Sequence, residues 1–170
     1  YKVRNVNVAD EGELLIEWAS DHMPVLNLIR ERFQEEKPLR DVVIGAVLHC
    51  TKETAVLIRT IEAGGATVAL AGSNPLSTQD AVVAALAKNG TNVYAWRNQT
   101  TEEYYWCIDQ LIEYEPQLTM DDGCDLVSRI HSEKPELIDN IKGGSEETTT
   151  GVIRLRAMHE DGALKYPMVA

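Results

Sequence analysis

From Asp41 onward the chain repeats one pattern: a short apolar run rich in β-branched residues, a polar or glycine-containing break, then a helical stretch. Runs of this kind suit strands buried on both faces, and strands separated by helices imply crossovers and a mainly parallel sheet. Val42 to Leu48 is the first expected strand, followed by a helix from Thr51 to Ala63 that stops at Gly64-Gly65. Thr67 to Ala71 reads as the second strand, and Ser77 to Lys88 as a helix closed by Asn89-Gly90. A third strand over Val93 to Ala95 leads to a helix from about Thr101 to Tyr114. Gln117 to Met120 is a short fourth strand, with a helix after Asp125. Ser145 is the expected cap of a last helix running to about His159.

Two helices precede this alternation. Asp10 is placed to cap a run through Glu11, Leu14, Leu15 and Trp18 that ends near Met23. Pro24 then suits the first turn of a second helix, Val25 to Gln34. The expected fold is α/β: three layers, a mainly parallel sheet with helices on both faces, of the flavodoxin or Rossmann-like kind. In such sheets ligands bind outside the carboxyl ends of the strands. Here those ends carry His49-Cys50-Thr51, Gly72-Ser73-Asn74, Trp96-Arg97-Asn98 and Asp121-Asp122-Gly123.

Composition narrows the partners. A net charge of −11 speaks against nucleic acid, which is held by clustered Lys and Arg. No apolar stretch is long enough for a membrane span. Three cysteines, odd in number and far apart, favour free thiols in a reducing compartment such as the cytoplasm. The four histidines are scattered without metal-ligand spacing, so no metal is expected. No glycine-rich phosphate loop or serine-hydrolase elbow occurs. Tyr104-Tyr105-Trp106, within a helix, reads as core rather than a stacking platform.

Three places are candidates for chemistry. His49, at a strand end, is either structural or a proton carrier. Asp121-Asp122, with Asp125 close behind, is either a turn and helix cap or a set of carboxylates whose mutual repulsion perturbs a proton affinity. Ser145 to Gly151 is either a capped acidic first turn or a helix start that offers N–H donors and hydroxyls to a hydroxylated ligand.

These segments together resemble the S-adenosylhomocysteine hydrolases. The resemblance rests on Leu48 to Ile58, Asn74 to Asp80, Tyr94-Ala95-Trp96 with Glu102 to Ile108, Asp121 to Leu126, and Ser145 to Val152. His22-Met23-Pro24 and Lys37-Pro38-Leu39 add to it, and the matches run in order over nearly the whole chain. Ser73 stands where many members have Cys, and Cys124 where the family has Gly.

The resemblance implies reversible splitting of S-adenosyl-L-homocysteine into adenosine and L-homocysteine. The implied route is oxidation of the ribose 3′-hydroxyl by NAD, elimination of the thiol, addition of water, and reduction. It implies proton transfer by His49 and Asp122, and substrate contacts from Thr51, Glu53, Thr54, Asp122 and Glu147. Glu53 and Thr54 are expected to border the base, and Glu147 to take the ribose hydroxyls, with Glu146 turned away. Thr148, Thr149 and Thr150 are expected at the nicotinamide end of NAD. It further implies a homotetramer.

The chain starts at Tyr1 and finishes in an apolar run that reads as a new strand, so both ends are expected to be cuts. Residues 1–170 would then be one incomplete substrate-binding domain, inert alone, without the NAD-binding domain and a further lysine- and aspartate-bearing motif. The alternatives are a nucleoside-binding regulatory domain without catalysis, or an S-inosylhomocysteine hydrolase.

Overall fold

The structure, a computed structural model, describes all residues 1–170. A short 3₁₀ turn (Val6–Val8) leads into α1 (Ala9–Asp21) and α2 (Pro24–Glu36), followed by β1 (Val43–Leu48), α3 (Lys52–Ala63), β2 (Thr67–Gly72), α4 (Asp80–Lys88) and β3 (Asn92–Tyr94). The second half holds α5 (Thr101–Ile112), β4 (Leu118–Asp121), α6 (Asp125–Glu133), a 3₁₀ segment (Pro135–Asn140), β5 (Gly143–Glu146), α7 (Thr149–Glu160) and β6 (Met168–Val169). The six strands form one parallel sheet in the order β3-β2-β1-β4-β5-β6.

The strand pleat divides the core. Ile44, Ala46 and Leu48 of β1, with Val68 and Leu70 of β2, face one layer, which contains α1, α3 and α4. Val47, Ala69 and Ala71 face the other, with α5, α6 and Leu155 of α7. Neighbours along a strand point to opposite sides, so a continuous apolar run fills two layers at once. The expected α/β architecture and the two leading helices are both present.

Asp10 does not cap α1: it lies in the first turn of the helix, after Val8 and Ala9, and pairs with Lys88. Three further boundaries depart from expectation, each for a physical reason. Residues 143–146 form a strand, which Gly143-Gly144 conceals because glycine has low β propensity. The glycines are needed at this position: a Cβ on Gly144 would lie 2.1 Å from Thr119 Oγ1 and 2.7 Å from Met168 Sδ. Ser145 therefore sits in β5 and caps nothing; Thr148 caps α7, its hydroxyl accepting from Gly151 N. Helix α4 begins at Asp80 rather than Ser77, because residues 74–77 close a turn with Asn74 Oδ1 accepting from Leu76 N. Of the aromatic cluster, Tyr104 is buried, whereas Tyr105 and Trp106 are partly exposed at 37% and 38%. Their faces carry the cations of Arg129 and Lys2.

Helices α1 and α4 touch through Gly12, where an added Cβ would come within 1.8 Å of the Ala81 carbonyl oxygen. Gly12→Ala should therefore separate the two helices and destabilise the fold by about 1–3 kcal/mol, the usual result of overpacking. Chemical denaturation of both proteins measures it; an unchanged midpoint would show that the layer has slack.

Candidate active site

The chain order around the sheet reverses between β1 and β4, since β2 and β3 lie on one side of β1 and β4 to β6 on the other. The register sets Val47 beside Asp121 and Asp121 beside Glu146, so three strands end at nearly one level. At such a reversal the connections leave in opposite directions and open a crevice. His49 follows β1 and Asp122 follows β4, and they meet across it, His49 Nε2 lying 3.2 Å from Asp122 Oδ2. The Asp122 side chain is 4% exposed and that of His49 42% exposed, so the carboxylate is sheltered while the ring faces the crevice.

Two residues not singled out for chemistry from the sequence hold this pair. Ser73 Oγ donates to Asp122 Oδ2 at 2.8 Å, and Ser77 Oγ is in hydrogen-bond contact with His49 Nδ1. Both serines lie in the loop between β2 and α4. The available signal was the serine directly after an apolar strand, where the crevice is expected.

Thr51 is the N-cap position of α3 by its extended backbone, and its hydroxyl lies 3.5 Å from that of Thr54. Glu53, exposed in the first turn of α3, pairs with Lys52 at 2.7 Å. Its carboxyl sits below the usual range: partial burial raises it, but bonds from Lys52, its own backbone N–H and Thr51 outweigh that. Thr51, Glu53 and Thr54 thus lie in the helix start directly after His49.

Glu146 and Glu147 diverge, though not because they sit on a helix as expected. Glu146 is the last residue of β5 and Glu147 follows it directly, so the extended backbone turns one side chain in and the other out. Glu146 is buried at 5% exposure and Glu147 is exposed. Glu146 Oε1 accepts from Gly123 N, Thr148 N and Thr148 Oγ1, tying the loop after β4 to the start of α7. A Cβ on Gly151 would overlap this carboxyl group, so the helix start accommodates Glu146 only with glycine there. The Thr148 hydroxyl is used twice, donating to Glu146 and accepting from Gly151, which leaves Thr149 and Thr150 exposed in the first turn of α7.

Asp121, 1% exposed, accepts from Asp122 N and Val127 N and so shapes the turn that presents Asp122. Burial pushes its carboxyl up to about 7; the Val127 bond opposes the rise, the charge of Glu146 adds to it, and the Asp122 bond opposes it again. Gly123 and Cys124 both have positive φ, +114° and +66°, in the turn that follows. Cys124 therefore occupies a left-handed position that favours glycine, the residue its resembled family places there. No group of His, Cys, Asp and Glu is arranged to hold a metal ion.

The S-adenosyl-L-homocysteine hydrolase family model matches residues 1–137. The chain belongs to that family. Its relatives include an adenosylhomocysteinase of Sulfolobus acidocaldarius, 58% identical over 170 residues, which is 100% of this chain and 40% of the relative. An S-inosyl-L-homocysteine hydrolase of Methanocaldococcus jannaschii is 56% identical over 169 residues, 99% of this chain and 41% of the relative. One of that same name from Methanopyrus kandleri is 53% identical over 170 residues, covering 100% and 40%. The chain thus spans about 40% of the length of the curated relatives it matches. No helix is long and apolar enough to cross a membrane.

A raised carboxyl such as Asp121 keeps its proton in the folded state after the unfolded chain has lost it. Stability from this group is then present at low pH and lost as pH rises from about 4 to about 7. Relative to Asp121→Asn, the natural protein should lose thermal stability across that window and hold a constant difference above it. Paired melts at several pH values check this; a constant offset throughout would show that Asp121 does not titrate there.

Proposed function

We propose that the full-length protein reversibly hydrolyses S-adenosyl-L-homocysteine to adenosine and L-homocysteine, and that residues 1–170 are its substrate-binding part. The observation that carries this is the contact of His49 with a sheltered Asp122 at the reversal of the sheet. A proton must reach the departing sulfur and leave the incoming water, and a paired imidazole and carboxylate open to the crevice suit both transfers. The chain spans about 40% of its relatives' length, and a dinucleotide-binding part elsewhere in the full-length protein belongs to the same reading.

NAD, when bound, supplies the hydride chemistry at the ribose 3′ position. The chain's own residues bind and orient. Glu147 accepts from the ribose hydroxyls, as an exposed carboxylate beside a helix start is able to do. Thr51, Glu53 and Thr54 border the base from the start of α3. Thr149 and Thr150 offer hydroxyls to the nicotinamide end, with Thr148 fixing the turn beneath them. A homotetramer in the cytoplasm belongs to the same reading; three free and buried cysteines agree with a reducing compartment.

A second reading keeps the chemistry and changes the base to hypoxanthine. It is favoured by the S-inosyl-L-homocysteine hydrolases at 56% and 53% identity. Glu53 is able to accept from an adenine amino group or from the N1–H of hypoxanthine, so both purines offer it a donor. Turnover of both thioethers by the full-length protein separates the readings. The first expects a higher kcat/KM for the adenosyl substrate, a tenfold preference for the inosyl substrate would establish the second, and no turnover of either would defeat both.

Asp122→Asn should lower kcat by about 10²–10⁴-fold with little change in substrate affinity, the cost of losing a positioned proton carrier. An unaltered kcat would reduce Asp122 to a turn residue. Glu147→Gln should weaken adenosine binding roughly tenfold, because a charge-assisted acceptor is lost. Calorimetric titration of the full-length variant against the natural protein measures this, and equal affinities would remove Glu147 from the ribose site.

A further inference from the structure

We propose that the loop between β2 and α4 is the positioning element of the proton-transfer pair, with Ser77 setting the His49 tautomer and Ser73 holding Asp122. The proposal rests on the reading of His49 and Asp122 as proton carriers and names what makes them competent.

Ser77 Oγ lies 3.1 Å from the carbonyl oxygen of Asn74 and in contact with His49 Nδ1. A hydroxyl has one proton to give, and a carbonyl oxygen only accepts. With that proton on Asn74, the Ser77 oxygen faces the ring as an acceptor, and the ring proton resides on Nδ1. Nε2 faces Asp122 Oδ2, which only accepts, so between transfers Nε2 also carries a proton, and it is the nitrogen that gives its proton up and takes it back. A histidine acts from one nitrogen only when the bond made by its other nitrogen fixes the tautomer.

Ser73 acts on the other partner. Its hydroxyl donates to Oδ2, the same Asp122 oxygen that faces His49 Nε2. This bond restrains the side chain in the rotamer that meets the ring. Asp122 is flanked by His49 and by Asp121, whose Oδ1 accepts from Asp122 N.

The loop itself is held firmly enough for this role. Its first residue, Ser73, donates its N–H to the Leu48 carbonyl at the end of β1, and Gln79 N donates to Cys50 O on the other side of His49. Within the loop, Asn74 O also accepts from Ser77 N and Thr78 Oγ1. The loop is thus stitched to the strand end that carries His49, and the serines keep their register to the ring.

The test uses the full-length protein labelled with ¹⁵N-histidine, in which the His49 signal is the one lost in His49→Gln. The natural protein should show a proton on Nδ1. Ser77→Ala should shift the neutral ring toward the Nε2–H form and lower kcat about tenfold with KM within twofold, and Ser77→Thr should restore both. Ser73→Ala should lower kcat several-fold with KM within twofold, since the carboxylate is no longer held against the ring, and Ser73→Thr should restore it. A ring with no proton on Nδ1 in the natural protein, or spectra and kcat untouched by the two alanine variants, would overturn the positioning role. If His49→Gln itself left kcat unchanged, the proton-carrier reading would fall instead. Circular dichroism confirms that each variant folds, and the threonine variant keeps the Ser77 test open should the alanine protein fail to do so.

Discussion

Parallel pairing of β1 with β2 on one side and β4 on the other is the constraint on which the remaining structure depends. β1 is buried along almost its whole length, and its small and branched residues let helices close on both faces. Because β4 joins the opposite edge of β1 from β2, the connections diverge and leave a gap above the strand ends. His49 and Asp122 meet in that gap although 73 positions separate them in the chain. Neither residue needs a special local conformation to do so; the sheet register delivers them.

A second level of order comes from buried carboxylates. Asp121 and Glu146 sit side by side on β4 and β5 and accept backbone N–H groups from the turns that follow both strands. Open turns with positive φ at Gly123 and Cys124 would otherwise leave these donors without partners in a buried place. The cost is two acidic side chains taken out of water on neighbouring strands; burial, with the charge of Glu146 adding to it, raises the Asp121 carboxyl. The two turns so tied carry Asp122 on one side and Glu147 on the other.

Much of this was legible in the residues. Continuous apolar runs of β-branched type identified β1 and β2, and glycine after α3 marked its end, because these signals depend on local preference alone. β5 was hidden, since its glycines answer to Thr119 and Met168 from neighbouring strands and not to any β preference. The placement of Glu147 outward was anticipated on the wrong ground: strand alternation, not helix periodicity, separates it from Glu146. Ser73 and Ser77 carried no motif of their own, and their significance appears only when the β2–α4 loop is seen against His49 and Asp122. Contacts between distant segments are what a single chain's pattern leaves unwritten.

The three free cysteines, each nearly inaccessible, are spread over both layers of the molecule. Cys50 lies under the crevice with the α3 and α4 side, while Cys107 and Cys124 belong to the opposite layer. Desolvation raises all three thiols, Cys50 and Cys107 to about 12, so a reagent meets almost no thiolate until the surrounding structure opens. The molecule therefore contains its own set of clocks for breathing motions. The rate at which each sulfur reacts would time the opening of one layer or the other, with no foreign label introduced.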